Sequence, residues 1–346
     1  MVQSSPREFP LKNRLLLCAL YALPLPVLLL SLFIGPAQSF GPKEILRWLL
    51  ALMPGQTWTP PTQPELMQAI VFQVRVPRIL LTFLVGGTLA SSGAALQALF
   101  RNPLVSPYIL GLQSGAAFGA ATALATAWLP LQPAALGGGL LAVGLSYFLA
   151  RRGRQVSIVT LILSGIIVTG IFTSLLTIVQ FLTDPFRLQS IVHWTMGNLH
   201  TASWAKLHSA WYLMLGGSAG LFLLRWRMNV LALGDEETRA VGLNPEREKA
   251  WVLLCASLGA SASVAAAGVI GLLGLAVPHM VRMLIGADNR SLVPASFAFG
   301  GTFLLIVDDA SRALASFEIP IGIFTTLLGG PFFIFLLKRT RIGWEA

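Results

Sequence analysis

The stretch RWRMNVLALGDEETRAVGLNPEREK, residues 225–249, interrupts an otherwise apolar chain and holds ten of its 24 basic and 14 acidic residues. Acidic residues at 235–237 followed by Gly242 are typical of a short capped helix. Carboxylates stabilise the free amides at a helix start, and glycine accepts a left-handed exit. Asn244 and Pro245 then predict a second helix start. We therefore expect two short helices outside the bilayer, between two membrane spans; a solvated loop is the alternative.

The composition indicates a polytopic membrane protein. The chain is 55% hydrophobic with a mean hydropathy of +0.73, and its apolar runs are long enough to cross about 30 Å of hydrocarbon. Cys18 and Cys255 both lie in apolar runs, so a disulfide framework is not indicated. The net charge of +10 reflects basic residues facing the cytoplasm more simply than it reflects a nucleic-acid partner.

The apolar runs predict an all-α bundle of ten membrane spans. Arg151, Arg152 and Arg154 follow the fourth span, and Lys338 and Arg339 follow the tenth. Because basic residues concentrate in cytoplasmic loops, both termini are expected inside the cell. The predicted spans cover residues 15–34, 77–100, 108–128, 134–150, 156–182, 207–224, 250–267, 272–285, 292–312 and 320–337.

The segments between the spans divide between the two sides of the membrane. Residues 35–74 and 183–206 are expected outside, the first with a surface helix at 43–52. Residues 231–249 are expected in the cytoplasm. We expect residues 1–346 to form a single transmembrane domain.

The second predicted span is rich in small residues. Small side chains let helix backbones approach closely in lipid, where no hydrophobic force drives helices together. The span is therefore expected near the centre of the bundle. Its small residues are Gly86, Gly87, Ala90, Ser91, Ser92, Gly93, Ala94 and Ala95.

Residues 250–281 carry no charge and would extend about 48 Å as one helix, which exceeds one perpendicular span. Gly268 and Pro278 supply a break. The same ten-residue spacing separates Gly93 from Pro103, in a span of opposite predicted direction. This repeated Gly–Pro spacing suggests an inverted repeat. Chance similarity between two small-residue helices is the alternative.

Two arginines, Arg75 and Arg78, precede and begin the second span on the predicted outer side. Arginine at a helix start is unfavourable beside the positive end of the helix dipole. Arginine on the outer side also runs against the concentration of basic residues in cytoplasmic loops. Together they indicate an external anionic partner, with lipid headgroups as the alternative. Arg312, at the outer end of the ninth span, could join them or pair with Asp308 one turn away.

The four histidines do not form a recognisable metal motif. His193, His200 and His208 cluster in sequence without an HExxH or paired-cysteine spacing, so interfacial packing is the simpler interpretation and no metal site is expected. His279 follows Pro278 and is expected to bond carbonyls that the proline leaves free.

The chain has no recognisable energy source of its own, and the charged segment 225–249 is the expected point of contact with one. The chain contains no GxxxxGK[ST] loop for a nucleotide, and no span centre carries the acid expected of an ion-coupled carrier. An ATP-independent carrier or channel, and a membrane-embedded haem-handling enzyme, are the alternatives. The carrier would need a mid-span acid, and the enzyme would need ligating histidines.

Four segments in order resemble the permease subunits of ABC importers for ferric siderophores, haem and cobalamin, the FecCD family. The resemblance covers nearly the whole chain after about residue 70. It rests on ILLTFLVGGTLASSGAALQALFRNPLVSPYILGLQSGA (79–116), LALGDEETRAVGLN (231–244), GVIGLLGLAVPHMVRMLIGADNR (268–290) and EIPIGIFTTLLGGPFF (318–333).

This resemblance implies a homodimer of ten-helix, inverted-repeat subunits in the bacterial inner membrane. It also implies two cytoplasmic ABC ATPase subunits and a periplasmic binding protein. The chain itself would be no enzyme and would hold no cofactor, since Mg-ATP belongs to the ATPase. Ferric siderophore, haem and cobalamin are the implied cargo, and oxyanions such as molybdate are the alternative within the same fold.

The resemblance also implies three groups of site residues. The binding-protein docking residues would be Arg75, Arg78 and Arg312. The cytoplasmic gate would include Asn102, Pro103 and Leu104. The ATPase-coupling residues would be Asp235, Glu236, Glu237, Arg239 and Gly242. The family's usual Ala-Asp-x-x-Ala-Arg is Val307-Asp308-Asp309-Ala310-Ser311-Arg312 in this chain, with Asp309 as an extra acid beside Arg312.

Overall fold

The structure is a computed structural model that describes residues 11–35, 40–51, 63–153, 155–314 and 319–339. Helices dominate this part of the chain, with one pair of two-residue antiparallel strands. The elements are α1 (Leu11–Ala22), α2 (Pro24–Ser31), α3 (Pro42–Ala51), α4 (Pro64–Ala69), a π-helical turn (Ile70–Arg75), α5 (Val76–Leu99), a 3₁₀ turn (Pro107–Leu110), α6 (Leu112–Thr126), α7 (Leu131–Ala150), β1 (Arg151–Arg152), β2 (Gln155–Val156), α8 (Ile158–Leu182), α9 (Pro185–Thr195), α10 (Trp204–Leu233), α11 (Asp235–Ala240), α12 (Pro245–Ala267), α13 (Leu273–Ile285), α14 (Asn289–Ala313) and α15 (Ile321–Arg339).

Within the described ranges, seven helical segments are long and apolar enough to cross a bilayer. They correspond to seven of the ten predicted spans. The total of ten spans stays a prediction. The third predicted span is the 15-residue α6, below the roughly 20 residues that a perpendicular span needs. The eighth and tenth correspond to shorter apolar helices, Leu273–Ile285 and Ile321–Pro331. The seven segments are Asn13–Ser31, Pro64–Leu99, Leu131–Ala150, Ile158–Leu182, Trp204–Leu233, Pro245–Ala267 and Asn289–Ala313.

Helix α5 lies at the centre of the bundle, as its small residues predict. In the most apolar stretch of the segment Pro64–Leu99, which contains α5, 83% of the residues are buried. The corresponding share is 28% for α8 and 11% for Asn13–Ser31. Helices α10, α12, α13 and α14 all pack against it. We name the end of the bundle that carries α11 the inner end and the end that carries Arg78 the outer end, after the predicted orientation.

Close backbone contact holds this centre together. A methyl group on Gly93 of α5 would lie 1.8 Å from the carbonyl oxygen of Gly274 in α13, and one on Gly86 would lie 2.4 Å from that of Gly300 in α14. No side chain fits in such gaps, so glycine lets these helices approach to backbone contact.

The predicted start of the second span at Pro77 is wrong, because the helix begins upstream at Pro64. The turn Ile70–Arg75 is π-helical, and the Val76 amide bonds the Val71 carbonyl five residues back. This wider turn accommodates the proline ring and its missing amide donor, so the chain stays helical. Arg75 consequently lies inside a continuous helical segment and not before a helix start.

The prediction of two short helices in residues 225–249 is half correct. Helix α11 is short and separate, but Pro245 begins the 23-residue α12 and residues 225–233 continue α10. The Asn244 side chain caps α12 by accepting from the amides of Glu246 and Arg247. With no breaker after Pro245, that helix continues directly into the span.

The predicted break between spans seven and eight is present. Helix α12 ends at Ala267 and α13 begins at Leu273. Gly268 has φ +70° and Leu272 has φ +60°, so the chain leaves the helical region at both limits. The predicted surface helix at 43–52 is also present, as α3, with Ile45 and Trp48 buried.

We expect Gly93→Ala to lower the stability of the protein by about 1–3 kcal/mol, because its methyl group must displace a backbone carbonyl. Gly144→Ala is the matched control: nothing lies within 4 Å of its added methyl group, and alanine favours a helix over glycine. The thermal unfolding midpoint in detergent measures both variants. Equal midpoints for the two would contradict the packing described for α5.

Candidate functional sites at the two ends of the bundle

Helix α11 presents two different faces at the inner end. Glu236, Glu237 and Arg239 are exposed. Thr238 is fully buried; its hydroxyl donates to the carbonyl of Gly234 at 2.5 Å and lies 3.3 Å from that of Val230 in α10. One face of this six-residue helix is thus fixed to the bundle, and the other offers charged groups to the surroundings.

The ends of α11 follow the predicted pattern. Three acids stand in its first turn, where they stabilise the free amides. Gly242 has φ +84°, the left-handed exit that glycine permits, and its amide donates to the Arg239 carbonyl at 2.9 Å.

The predicted gate residues form an exposed turn after α5. The Asn102 side-chain oxygen accepts the amide of Leu104 at 2.9 Å. Pro103 is exposed, and the side chain of Leu104 is 50% exposed. Arg101, at φ +52°, ends α5 and directs the chain into this turn.

The structure brings the gate turn and α11 together through Asp235. One Asp235 carboxylate oxygen pairs with Arg101 at 2.9 Å, and the other pairs with Lys249 at 2.5 Å. The sequence reasoning missed both basic partners. Lys249 itself could have indicated a buried acidic partner, because it is the last charged residue before 32 uncharged residues.

The pKa of Asp235 lies below its usual value. Partial burial alone would raise this pKa, but the hydrogen bond and charge of Lys249, followed by the charge of Arg101, outweigh the burial. The carboxylate is therefore ionised at neutral pH and bridges two cations.

At the outer end, the three predicted docking arginines lie together and are buried. Their exposed fractions are 6% for Arg75, 7% for Arg78 and 4% for Arg312. Arg78 pairs with Asp308 at 2.8 Å, and Arg312 pairs with the same carboxylate at 3.2 Å. The alternative considered for Arg312, an ion pair one turn away with Asp308, is thus present.

The same cluster holds the end of the first span. Arg75 donates to the carbonyl of Leu32 at 2.6 Å, and Arg312 donates to that of Ile34 at 2.7 Å. Asp309 accepts hydrogen bonds from Arg312 and from the Ser31 hydroxyl. We name Arg75, Arg78, Asp308, Asp309 and Arg312 the outer cluster; it joins α2, α5 and α14.

The histidines near α9 contact aromatic rings. His193 and His200 meet edge to face with ring centroids 6.1 Å apart, and Trp204 stacks on His208 at 5.7 Å. In the described part of the chain, no group of three or more His, Cys, Asp or Glu side chains could hold a metal ion. The carbonyl-bonding role of His279 stays a prediction.

Arg78→Ala should destabilise the protein by about 3–5 kcal/mol, because it leaves a buried carboxylate with one partner fewer. Arg47→Ala, at an exposed position of α3, should change stability little. The double variant Arg78→Ala/Asp308→Ala should lose less than the sum of the single losses. Unfolding in denaturing detergent measures these three variants and the single Asp308→Ala, and an Arg78→Ala midpoint equal to that of Arg47→Ala would refute the ion pair's role.

Comparison with known proteins shows the family of the chain. A model of the FecCD transport family matches residues 23–339. The cobalamin import system permease protein of Halobacterium salinarum is 41% identical over 285 residues, covering 81% of this chain and 76% of that protein. The molybdate import system permease protein of Haemophilus influenzae is 39% identical over 294 residues, covering 83% of this chain and 87% of that protein.

A solved structure shows the same architecture. It is described as an inward-facing conformation of a metal-chelate type ABC transporter, and it superposes with a TM-score of 0.83 at 35% identity. The match covers 94% of this chain and 100% of that one. With its membrane-spanning helices and a family match over nearly its whole length, this chain belongs to the FecCD transport family of multi-pass membrane proteins.

Proposed function

We propose that this chain is the permease subunit of an ATP-driven importer that moves an iron chelate, haem or cobalamin across the inner membrane. ATP hydrolysis takes place in a separate cytoplasmic subunit, and this chain catalyses no reaction. The observation that carries the proposal is α11, whose exposed Glu236 and Glu237 stand on a helix fixed to the bundle by its opposite face. The relatives named as import permeases support the same function.

The assembly proposed is a homodimer with two ATPase subunits inside and a binding protein outside. It consists of ten-span subunits whose termini face the cytoplasm. Helix α8 supports a second copy, since it exposes apolar side chains along its length, among them Ile166, Ile171 and Phe181. Lipid covers the remaining apolar surface.

An oxyanion importer of the same fold is the second candidate, favoured by the identity to a molybdate permease. An ATP-independent carrier is less well supported. Asp308 and Asp309, the two acids of α14, lie near its outer end and are engaged by Arg78 and Arg312. Neither is therefore available as the single coupling acid that such a carrier needs.

Reconstitution in vesicles tests the central proposal. Vesicles that hold this chain and its ATPase subunits, with the binding protein outside and ATP inside, should accumulate hemin, cyanocobalamin or a ferric hydroxamate, whereas accumulation of molybdate would favour the second candidate. Import of the same cargo by the permease without ATPase subunits would overturn the proposal.

Glu236→Lys/Glu237→Lys should reduce the ATPase activity that loaded binding protein stimulates, by about tenfold, through loss of charged contacts worth about 1–3 kcal/mol. Glu65→Lys reverses an equally exposed acid at the outer end and should leave the stimulation intact. Full stimulation in the double variant would remove these two residues from the contact with the ATPase.

We also propose that the outer cluster receives acidic groups of the binding protein. Its described residues comprise three arginines and two aspartates, so positive charge is in excess. Arg75 donates to a backbone carbonyl, which it can leave more readily than Arg78 can leave Asp308. Docking therefore requires Arg75 to turn outward from its buried position.

Arg75→Glu should weaken retention of the binding protein in a pull-down by about fivefold to a hundredfold, the effect of one lost charged contact. Arg47→Glu reverses an exposed charge on α3 and should have a smaller effect. Asp308→Asn keeps every arginine, so an equal loss in that variant would indicate that disruption of the cluster, and not docking, causes the effect. Unchanged retention with Arg75→Glu would contradict docking through this residue.

A further inference from the structure

Asp235 lies at the junction of three elements of the inner end. It is the first residue of α11. One carboxylate oxygen bonds the guanidinium of Arg101 at 2.9 Å, and the other bonds the ammonium of Lys249 at 2.5 Å. The side chain of Asp235 is 33% exposed and lies between the partly exposed side chain of Arg101 and the buried side chain of Lys249.

The contact between Asp235 and Arg101, the first arm of this junction, connects α11 to the predicted gate turn. Arg101 directly precedes Asn102 and has a left-handed backbone, φ +52°. Its Nε donates to the carbonyl of Leu231, at the end of α10, at 3.0 Å. A displacement of α11 therefore acts on the residue that begins the turn.

The second arm leads to the β1–β2 hairpin through Lys249. This lysine is buried, with 6% of its surface exposed, and its ammonium lies 3.5 Å from the Val156 carbonyl. Glu246, one turn earlier in α12, accepts the Val156 amide at 2.9 Å and lies 3.5 Å from Lys249. Both backbone groups of Val156 are thus held by α12.

Val156 stands directly before the start of α8. It ends β2, and Ser157 is the residue that precedes the first turn of α8. Helix α8 exposes apolar side chains along its length, and the proposed homodimer rests on this face. The second arm therefore connects α11 to the inner end of that helix.

We propose that Asp235, Lys249 and Arg101 are the positioning residues that transmit movement of α11 to both the turn at 101–104 and the hairpin at 151–156. This inference rests on the proposed function, since it assumes that an ATPase moves α11. The exposed face of α11 contacts the ATPase subunit. Its buried face passes the movement on to the turn at 101–104 and to β2. A buried lysine with a carboxylate partner suits this role because separating the two is costly, so the connected elements move together.

The test measures how much cargo is imported per ATP hydrolysed in vesicles with ATPase subunits and loaded binding protein. The cargo is whichever of hemin, cyanocobalamin, a ferric hydroxamate or molybdate the wild type accumulates. Lys249→Met keeps the length of the side chain and removes its charge. We expect ATP hydrolysis to continue and import per ATP to fall about tenfold, which corresponds to about 1.4 kcal/mol of coupling.

Arg247→Met is the matched control: it removes a basic charge two residues earlier, from the exposed side of the same helix, and should leave import per ATP unchanged. Lys249→Arg should retain most of the coupling. Arg101→Gln breaks only the first arm, at a side chain that is 36% exposed, and should reduce coupling partially. If Lys249→Met does not fold, the import per ATP of Arg101→Gln decides whether these residues transmit the movement of α11.

Three outcomes separate the possibilities. Wild-type vesicles without ATP-dependent import would refute the proposed function itself. Coupled wild type together with a folded Lys249→Met of unchanged import per ATP would refute the transmission role and leave the function standing. A Lys249→Met that loses hydrolysis and import in the same proportion would show a structural role only and would also overturn the inference.

Discussion

Close backbone packing around α5 is the constraint on which the rest of the structure depends. Lipid supplies no hydrophobic force between helices, so the bundle is held by surfaces that approach to contact, as Gly93 does with Gly274. Helix α5 begins beside the outer cluster and ends at Leu99, two residues before Arg101. At about 1.5 Å per residue its 24 residues span about 36 Å, so one tightly held helix joins the two charged ends of the molecule.

The two ends manage charge differently. In the outer cluster the guanidiniums are almost fully buried and bridge carboxylates and the carbonyls at the end of the first span. At the inner end Asp235 remains partly exposed between Arg101 and Lys249. Its partner Lys249 is buried, so the contact between α11 and α12 resists separation and the two elements move together. The outer cluster holds the ends of α2, α5 and α14 to one another.

Sequence reasoning performed best where one residue type has one local consequence. Gly242 and Asn244 were expected to end one helix and begin another, and both do. It failed where tertiary structure overrode a local signal. Pro77 suggested a helix start, but a π-helical turn accommodates it. The polar residues after Pro245 suggested a separate helix, although they form the first turns of the 23-residue α12.

The sequence by itself determined the class of protein, the centre of the bundle and the charged segment at its inner end, because hydropathy, small-residue content and capping signals act over a few residues. Only the tertiary structure decided the partners of the charges. Arg78 meets Asp308 across 230 residues, and Arg101 meets Asp235 across 134. The approach of two side chains so distant in the chain depends on how whole helices pack, and no local pattern encodes that.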